Sequence, residues 1–223
     1  MAVRVIVRGA IGAPILIACL AVSAWAGPTF NVTLDTSFLN GLPAVLAFDF
    51  LDGGTPSNSV TLIPLTSDGA QDSTSITGDV SGSGPWIFND SSLFNELLVS
   101  FNPMGSFLSF SFTTTDNPPN PGPFPDAFSF FIVNTDLSTL ITTDEPTGSN
   151  ALFEYNLGEG ANGHIVFTPD QTGISVLVTP VLSAPEPGSL ALLTVALIAT
   201  LVGGIRRNNE QRSPGTGKVA NLD

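Results

Sequence analysis

Of the nineteen aspartates and glutamates in the chain, all but Glu186, Glu210 and Asp223 lie between Gly27 and Pro185, and that span contains no lysine or arginine. The six basic residues, Arg4, Arg8, Arg206, Arg207, Arg212 and Lys218, sit near the two ends, leaving His164 as the only side-chain cation within the span. A carboxylate there must be solvated, accept hydrogen bonds from turn amides and hydroxyls, or bind a metal ion. Buried and unpartnered, it would cost several kcal/mol. Chemistry on phosphoryl groups or oxyanions usually places Lys, Arg or a metal at the developing charge. With only a metal or backbone amides left for that task, the composition disfavours an enzyme.

Individual candidates follow from residue type and spacing. Asp49 and Asp52, beside Gly53-Gly54 at the end of an alternating run, offer two hard oxygen ligands of the kind calcium takes, at a spacing unlike an EF-hand. The other reading is a turn opened by Asp52, with Asp49 facing solvent. Trp86 follows Gly82-Ser83-Gly84-Pro85, outside any regular alternation, and with Tyr155 it has the flat apolar surface on which sugar rings stack, although a lone Trp in a sandwich is also core material. His164 has no cysteine and no nucleophile elbow near it in sequence, which favours a strand histidine over a catalytic one. Two carboxylates suffice to hydrolyse a glycoside, but with so many present the sequence singles out no pair. Asn31-Val32-Thr33 and Asn89-Asp90-Ser91 match the N-glycosylation acceptor, a motif frequent by chance.

The elements that must position these residues alternate rather than follow a helical period. Thr29–Asp35 and Leu46–Phe50 alternate strictly, and Val60–Ile63, Glu96–Phe101, Phe107–Thr113, Ala127–Val133, Leu152–Asn156, Ile165–Thr168 and Ile174–Thr179 read as further strands. Ser75–Val80 and Leu137–Thr142 would add two more. Many short strands without crossover helices predict an all-β, antiparallel β-sandwich of jelly-roll type. Phe110/Phe112 and Phe128/Phe130 should fill the space between the sheets, and Phe131 and Val133, on the other parity, predict a central strand covered on both sides. Thr66–Pro85, rich in Ser, Thr, Gly and Asp, reads as a loop or one edge strand. The five prolines of Asn117–Pro125 exclude a ladder.

At 223 residues the chain has room for one ordinary domain plus processing segments. A formal charge of −13 excludes the basic footprint that nucleic acid requires. Arg4 and Arg8, the apolar run Ala10–Val22 and Ala24-Trp25-Ala26 before Gly27 have the layout of a secretory signal peptide cut after Ala26. Leu16-Ile17-Ala18-Cys19 has the form of a lipoprotein box, but the apolar run continues beyond Cys19 to the Ala-x-Ala site. The preferred cut leaves a mature chain without cysteine, held by its core alone. Gly188–Ile205 is eighteen uncharged residues, near the lower limit for a transmembrane helix. Arg206-Arg207 behind it place that flank in the cytoplasm. The chain thus divides into a signal peptide (1–26), an exported domain (27–183), a sorting segment (184–207) and a polar, disordered cytoplasmic tail (208–223).

Pro185-Glu186-Pro187, an apolar helix and the pair Arg206-Arg207, in that order, resemble the PEP-CTERM sorting signal of exported bacterial proteins. The resemblance implies that a membrane-embedded exosortase recognises this segment and cleaves the tail, that signal peptidase acts at the other end, and that the protein accompanies exopolysaccharide and biofilm production. One departure is the tail from Asn208 to Asp223, since the family usually ends within a few residues of the arginines. VTLDTS at 32–37, FDFLDGG at 48–54, Asp90–Glu96 and Pro125–Phe130 are similar to a recurring β-rich ectodomain class among such proteins, one without an assigned activity. The expectation is a cell-surface or extracellular-matrix protein, transiently anchored in the inner membrane, without a cofactor unless calcium neutralises the domain or bridges it to acidic glycans. The rival readings are an extracellular glycan-active hydrolase using two carboxylates and a calcium-dependent carbohydrate-binding module.

Overall fold

A computed structural model describes residues 26–54, 58–115, 124–159 and 162–181. Ala24, the sorting residues Pro185, Glu186, Pro187, Arg206 and Arg207, the expected membrane helix and most of the proline-rich stretch lie outside the described residues. Among those described, no helix is long and apolar enough to cross a membrane.

Thirteen strands form in chain order: β1 (Ala26–Asp35), β2 (Ala44–Leu51), β3 (Ser59–Leu62), β4 (Thr66–Ser67), β5 (Gln71–Thr77), β6 (Val80–Gly82), β7 (Trp86–Asn89), β8 (Phe94–Phe101), β9 (Phe107–Thr115), β10 (Ala127–Val133), β11 (Phe153–Asn156), β12 (His164–Val166) and β13 (Ser175–Val181). Sheet I has the order β13-β1-β9-β3-β7-β6, with β4 paired to β9; sheet II has the order β12-β11-β10-β2-β8-β5. Every pairing is antiparallel. The pairs β1–β9, β2–β8 and β3–β7 are nested and fall alternately in sheets I, II and I.

Alternation places one set of side chains between the sheets. Along β8 and β9 every second residue is buried, and Phe110, Phe112, Phe128 and Phe130 lie in the shared core as their spacing predicts. Phe112 packs its ring on Phe30 at 4.9 Å, Phe128 at 5.1 Å and Phe153 at 5.5 Å. Each such pair adds about 0.5–1.5 kcal/mol beyond its area, which suits a domain without Lys or Arg pairs or disulfides.

Four expectations need correction. Thr66–Pro85 is no open loop, because β4, β5 and β6 occupy most of it. The chain leaves sheet II after β5 and joins sheet I at β6 through Gly78 at φ +76°, where a Cβ would meet Phe94 O at 2.3 Å. Leu137–Thr142 is not a strand; a turn from Asn134 to Ser138, tied by Asp136 to Ser138, leaves only the bridge Val133–Thr139. β10 is interior to sheet II, but its outward Phe131 and Val133 are only half-buried. Finally, β7 was not foreseen. Trp86 and Phe88 point inward and Ile87 outward, so Trp86 is only 5% exposed and belongs to the core. The hairpin from β6 sets that register, with Gly82 opposite Trp86.

Candidate functional site

Carboxylates in turns are supplied with donors by the turns themselves. Asp35 and Asp136 each accept the backbone N–H and hydroxyl of the serine two residues on. Asp68 takes the Phe107 N–H and the Ser106 hydroxyl, at 2.9 and 2.7 Å. All three have their pKa lowered, first by the serine hydroxyl. Glu145 is buried, which pushes its pKa up, but the N–H groups and hydroxyls of Thr147 and Ser149 outweigh burial and bring it down to about 2. Asp126, fully buried, accepts the Gly53 N–H and the Asn58 side-chain amide, both at 2.8 Å. It thereby fastens the loop after β2. Asp126 carries no site motif in the sequence, and its place just before an alternating Phe strand is the signal that marks it as a residue at a strand entrance.

The outer face of sheet II breaks this rule. The register sets Glu154 opposite Ser129, Ser129 opposite Asp49, Asp49 opposite Glu96 and Glu96 opposite Thr77, a polar row across β11, β10, β2, β8 and β5. Residues directly opposite have Cα atoms about 4.5–5.5 Å apart, so the Asp49 and Glu96 carboxyls are neighbours. One Asp49 oxygen, Oδ1, is buried without a hydrogen-bond partner. Burial, and then the charge of Glu96, raise the Asp49 pKa to about 7. Burial raises Glu96, and burial followed by the charge of Glu145 raises Glu154. Asp49 and Glu96 line a depression of about 190 Å³ with Ala47, Leu98, Phe131 and Leu137. Glu154 lines a second, of about 610 Å³, with Leu51, Asn156 and the exposed Phe124. Asp49 and Glu96 are thus two adjacent carboxyls that both hold their protons more readily than usual, Asp49 with a pKa in the range useful for proton transfer near neutral pH.

The expected pairing of Asp49 with Asp52 is not assembled. Asp49 faces Glu96 across the ladder, whereas Asp52 accepts the Gly54 N–H at 2.7 Å, and Gly54 takes φ +83°. Asp52 is therefore a turn residue. Among the described residues no three His, Cys, Asp or Glu side chains converge to hold a metal ion. Trp86 and Tyr155, expected as sugar platforms, are buried, with Tyr155 against Phe30. The His164 ring packs 5.4 Å from that of Phe30, the strand histidine of the plainer reading.

Compared with known proteins, the chain matches no family model, no curated protein and no solved structure.

Proposed function

We propose that the chain is an exported surface or matrix protein of the PEP-CTERM type, a jelly-roll-like sandwich associated with exopolysaccharide. Signal peptidase cuts after Ala26, the Gly188–Ile205 helix holds the product at the membrane, and an exosortase processes it at Pro185-Glu186-Pro187. What supports this reading is where the sandwich begins and ends. The core runs from Phe30 to Val178, so both cuts leave every core residue in place. β1 and β13 are paired, with Thr29 opposite Val181, which ties the two ends of the domain together before either signal is reached. The nested strand pairs and their alternation between sheets support the jelly-roll-like winding. Intact-mass analysis of the exported protein from its native host tests the reading. The expected product starts at Gly27 and lacks the membrane helix; a product retaining both Met1–Ala26 and Gly188–Ile205 overturns it.

One observation favours a second reading, the extracellular glycan-active hydrolase. Asp49 and Glu96 are carboxyls opposite one another on adjacent strands, both with raised pKa values, and a retaining glycosidase needs its two carboxyls only about 5–5.5 Å apart. Release of new reducing ends from polysaccharide, abolished by Asp49→Asn and by Glu96→Gln, is the expected result. Equal release by wild type and the double variant removes this reading.

A further inference from the structure

We propose that the outer face of sheet I carries a binding trough for an uncharged polysaccharide, independent of the carboxyl row on sheet II. Two depressions, of about 380 and 330 Å³, share Thr33 and follow β1 from Asn31 to Asp35. The four steps from Asn31 to Asp35 span about 13 Å, enough for an extended ligand rather than a single small molecule. Ser109 and Ser111 of β9 form the floor with Asn31 and Thr33, with Ile63 and Thr66 on one flank, Leu177 on the other and Phe107 at the far end.

The chemistry of this surface selects its ligand. Asn31 uses its carbonyl oxygen to accept the Ser111 hydroxyl at 2.8 Å, which leaves its NH₂ as a donor not spent on that bond. The hydroxyls of Thr33, Ser109 and Thr66 make no hydrogen bond among the described residues. These groups both donate and accept, the pattern that matches another array of hydroxyls. Phe107 and Leu177 are 43% and 64% exposed and supply the apolar surface on which the C–H face of a sugar ring rests. Asp35 is the trough's single charge, and Ser37 already occupies one of its oxygens. A polyanion is repelled by the domain as a whole, and a cationic ligand would meet one carboxylate only, at the end of the trough. A stable protein interface buries an apolar centre inside a polar rim, the reverse of a polar floor with apolar residues at its edges. An uncharged polyol with an apolar face satisfies all of these conditions.

Binding of the full-length chain to insoluble cellulose, chitin, mannan and β-1,3-glucan, with a polyuronate gel as the charged comparison, tests the proposal. At least one uncharged polymer should retain the protein and the polyuronate should not. Phe107→Ala and Asn31→Ala should each lower the retained fraction by about five-fold or more, the loss of roughly one stacking or hydrogen-bonding contact. Thr33→Val, close in shape and favourable in a strand, should lower it too and guards against a variant that fails to fold. Ser73→Ala, on β5 of the other sheet, should leave it unchanged. Failure of every uncharged polymer to retain the chain overturns the proposal. So does equal retention on the polyuronate, or retention that the trough variants leave intact while their unfolding temperatures stay within about 2 °C of wild type.

Discussion

The two outer faces of the sandwich handle polarity in opposite ways. On sheet I, outward side chains are neutral apart from Asp35 at the end of β1, and several bond across strands, as in the 2.9 Å contact of the Thr29 and Thr113 hydroxyls and the bond from Ser111 to Asn31. On sheet II, three carboxyls stand in one row and all have raised pKa values. The difference shows where a carboxylate is tolerated in a domain without Lys or Arg. Turn amides are free to point at a side chain, so Asp35, Asp68, Asp136 and Glu145 remain ionised. Strand amides are spent in the ladder and lie in its plane, so an outward carboxylate in mid-strand finds no donor and its charged form is disfavoured.

The sharpest way to break this contrast is to titrate Asp49. Its folded pKa, about 7, lies above the ordinary value of 3.8. Between those values the folded state binds more protons than the unfolded one. The contribution is therefore complete below about pH 4 and lost as pH rises through about 7, with a full size on the order of 4 kcal/mol. Chemical denaturation from pH 5 to pH 8.5 should show wild type weakening and Asp49→Asn weakening much less, with only Glu96 and Glu154 left to titrate abnormally. Parallel curves would mean that Asp49 titrates normally.

A turn carboxylate should behave differently. Asp126→Ala leaves the Gly53 N–H and the Asn58 amide without their acceptor, at a cost of about 3 kcal/mol in thermal unfolding at neutral pH. A loss below about 0.5 kcal/mol would show that water replaces it fully.

Glu145 supplies the acid-side counterpart to Asp49. Its folded pKa, about 2, lies below the ordinary 4.5, so its contribution is present above about pH 4.5 and lost as pH falls through about 2. Glu145→Gln should flatten that acid limb by about 1–2 kcal/mol, less than the shift alone implies because the Gln carbonyl still accepts part of the donor set. An unchanged acid limb would remove Glu145 from the class of donor-supplied carboxylates.

The smallest effect belongs to sheet I. Replacing Thr29 and Thr113 together by Val removes both partners of one bond while keeping strand-favouring shapes, and should change stability by less than about 0.5 kcal/mol in denaturant titration. A larger loss would make the neutral face a stabilising network rather than an available surface.

Much of the sandwich was legible because alternation is local. Val32/Leu34, Phe48/Phe50, Phe110/Phe112 and Phe128/Phe130 declare an inward parity without knowledge of the partner strand. Trp86 was not legible in the same way. Its strand has four residues, follows a Gly-Pro turn, and takes its facing from β6, itself an irregular Ser/Gly segment. The Trp86–Phe88 spacing was the available signal, too short to stand alone. Asp49 was visible as a candidate but was given the wrong partner, since Asp52 is near in sequence and Glu96 only across the ladder.

By itself the sequence determined the absence of Lys and Arg from the domain and the alternation that makes strands, because each is a matter of residue type and spacing along the chain. Only the tertiary structure decided which carboxylates meet donors and which meet one another. That outcome depends on strand register, set by turns and core packing across the whole domain: Glu96 lies forty-seven residues from Asp49 in the chain and directly beside it in sheet II.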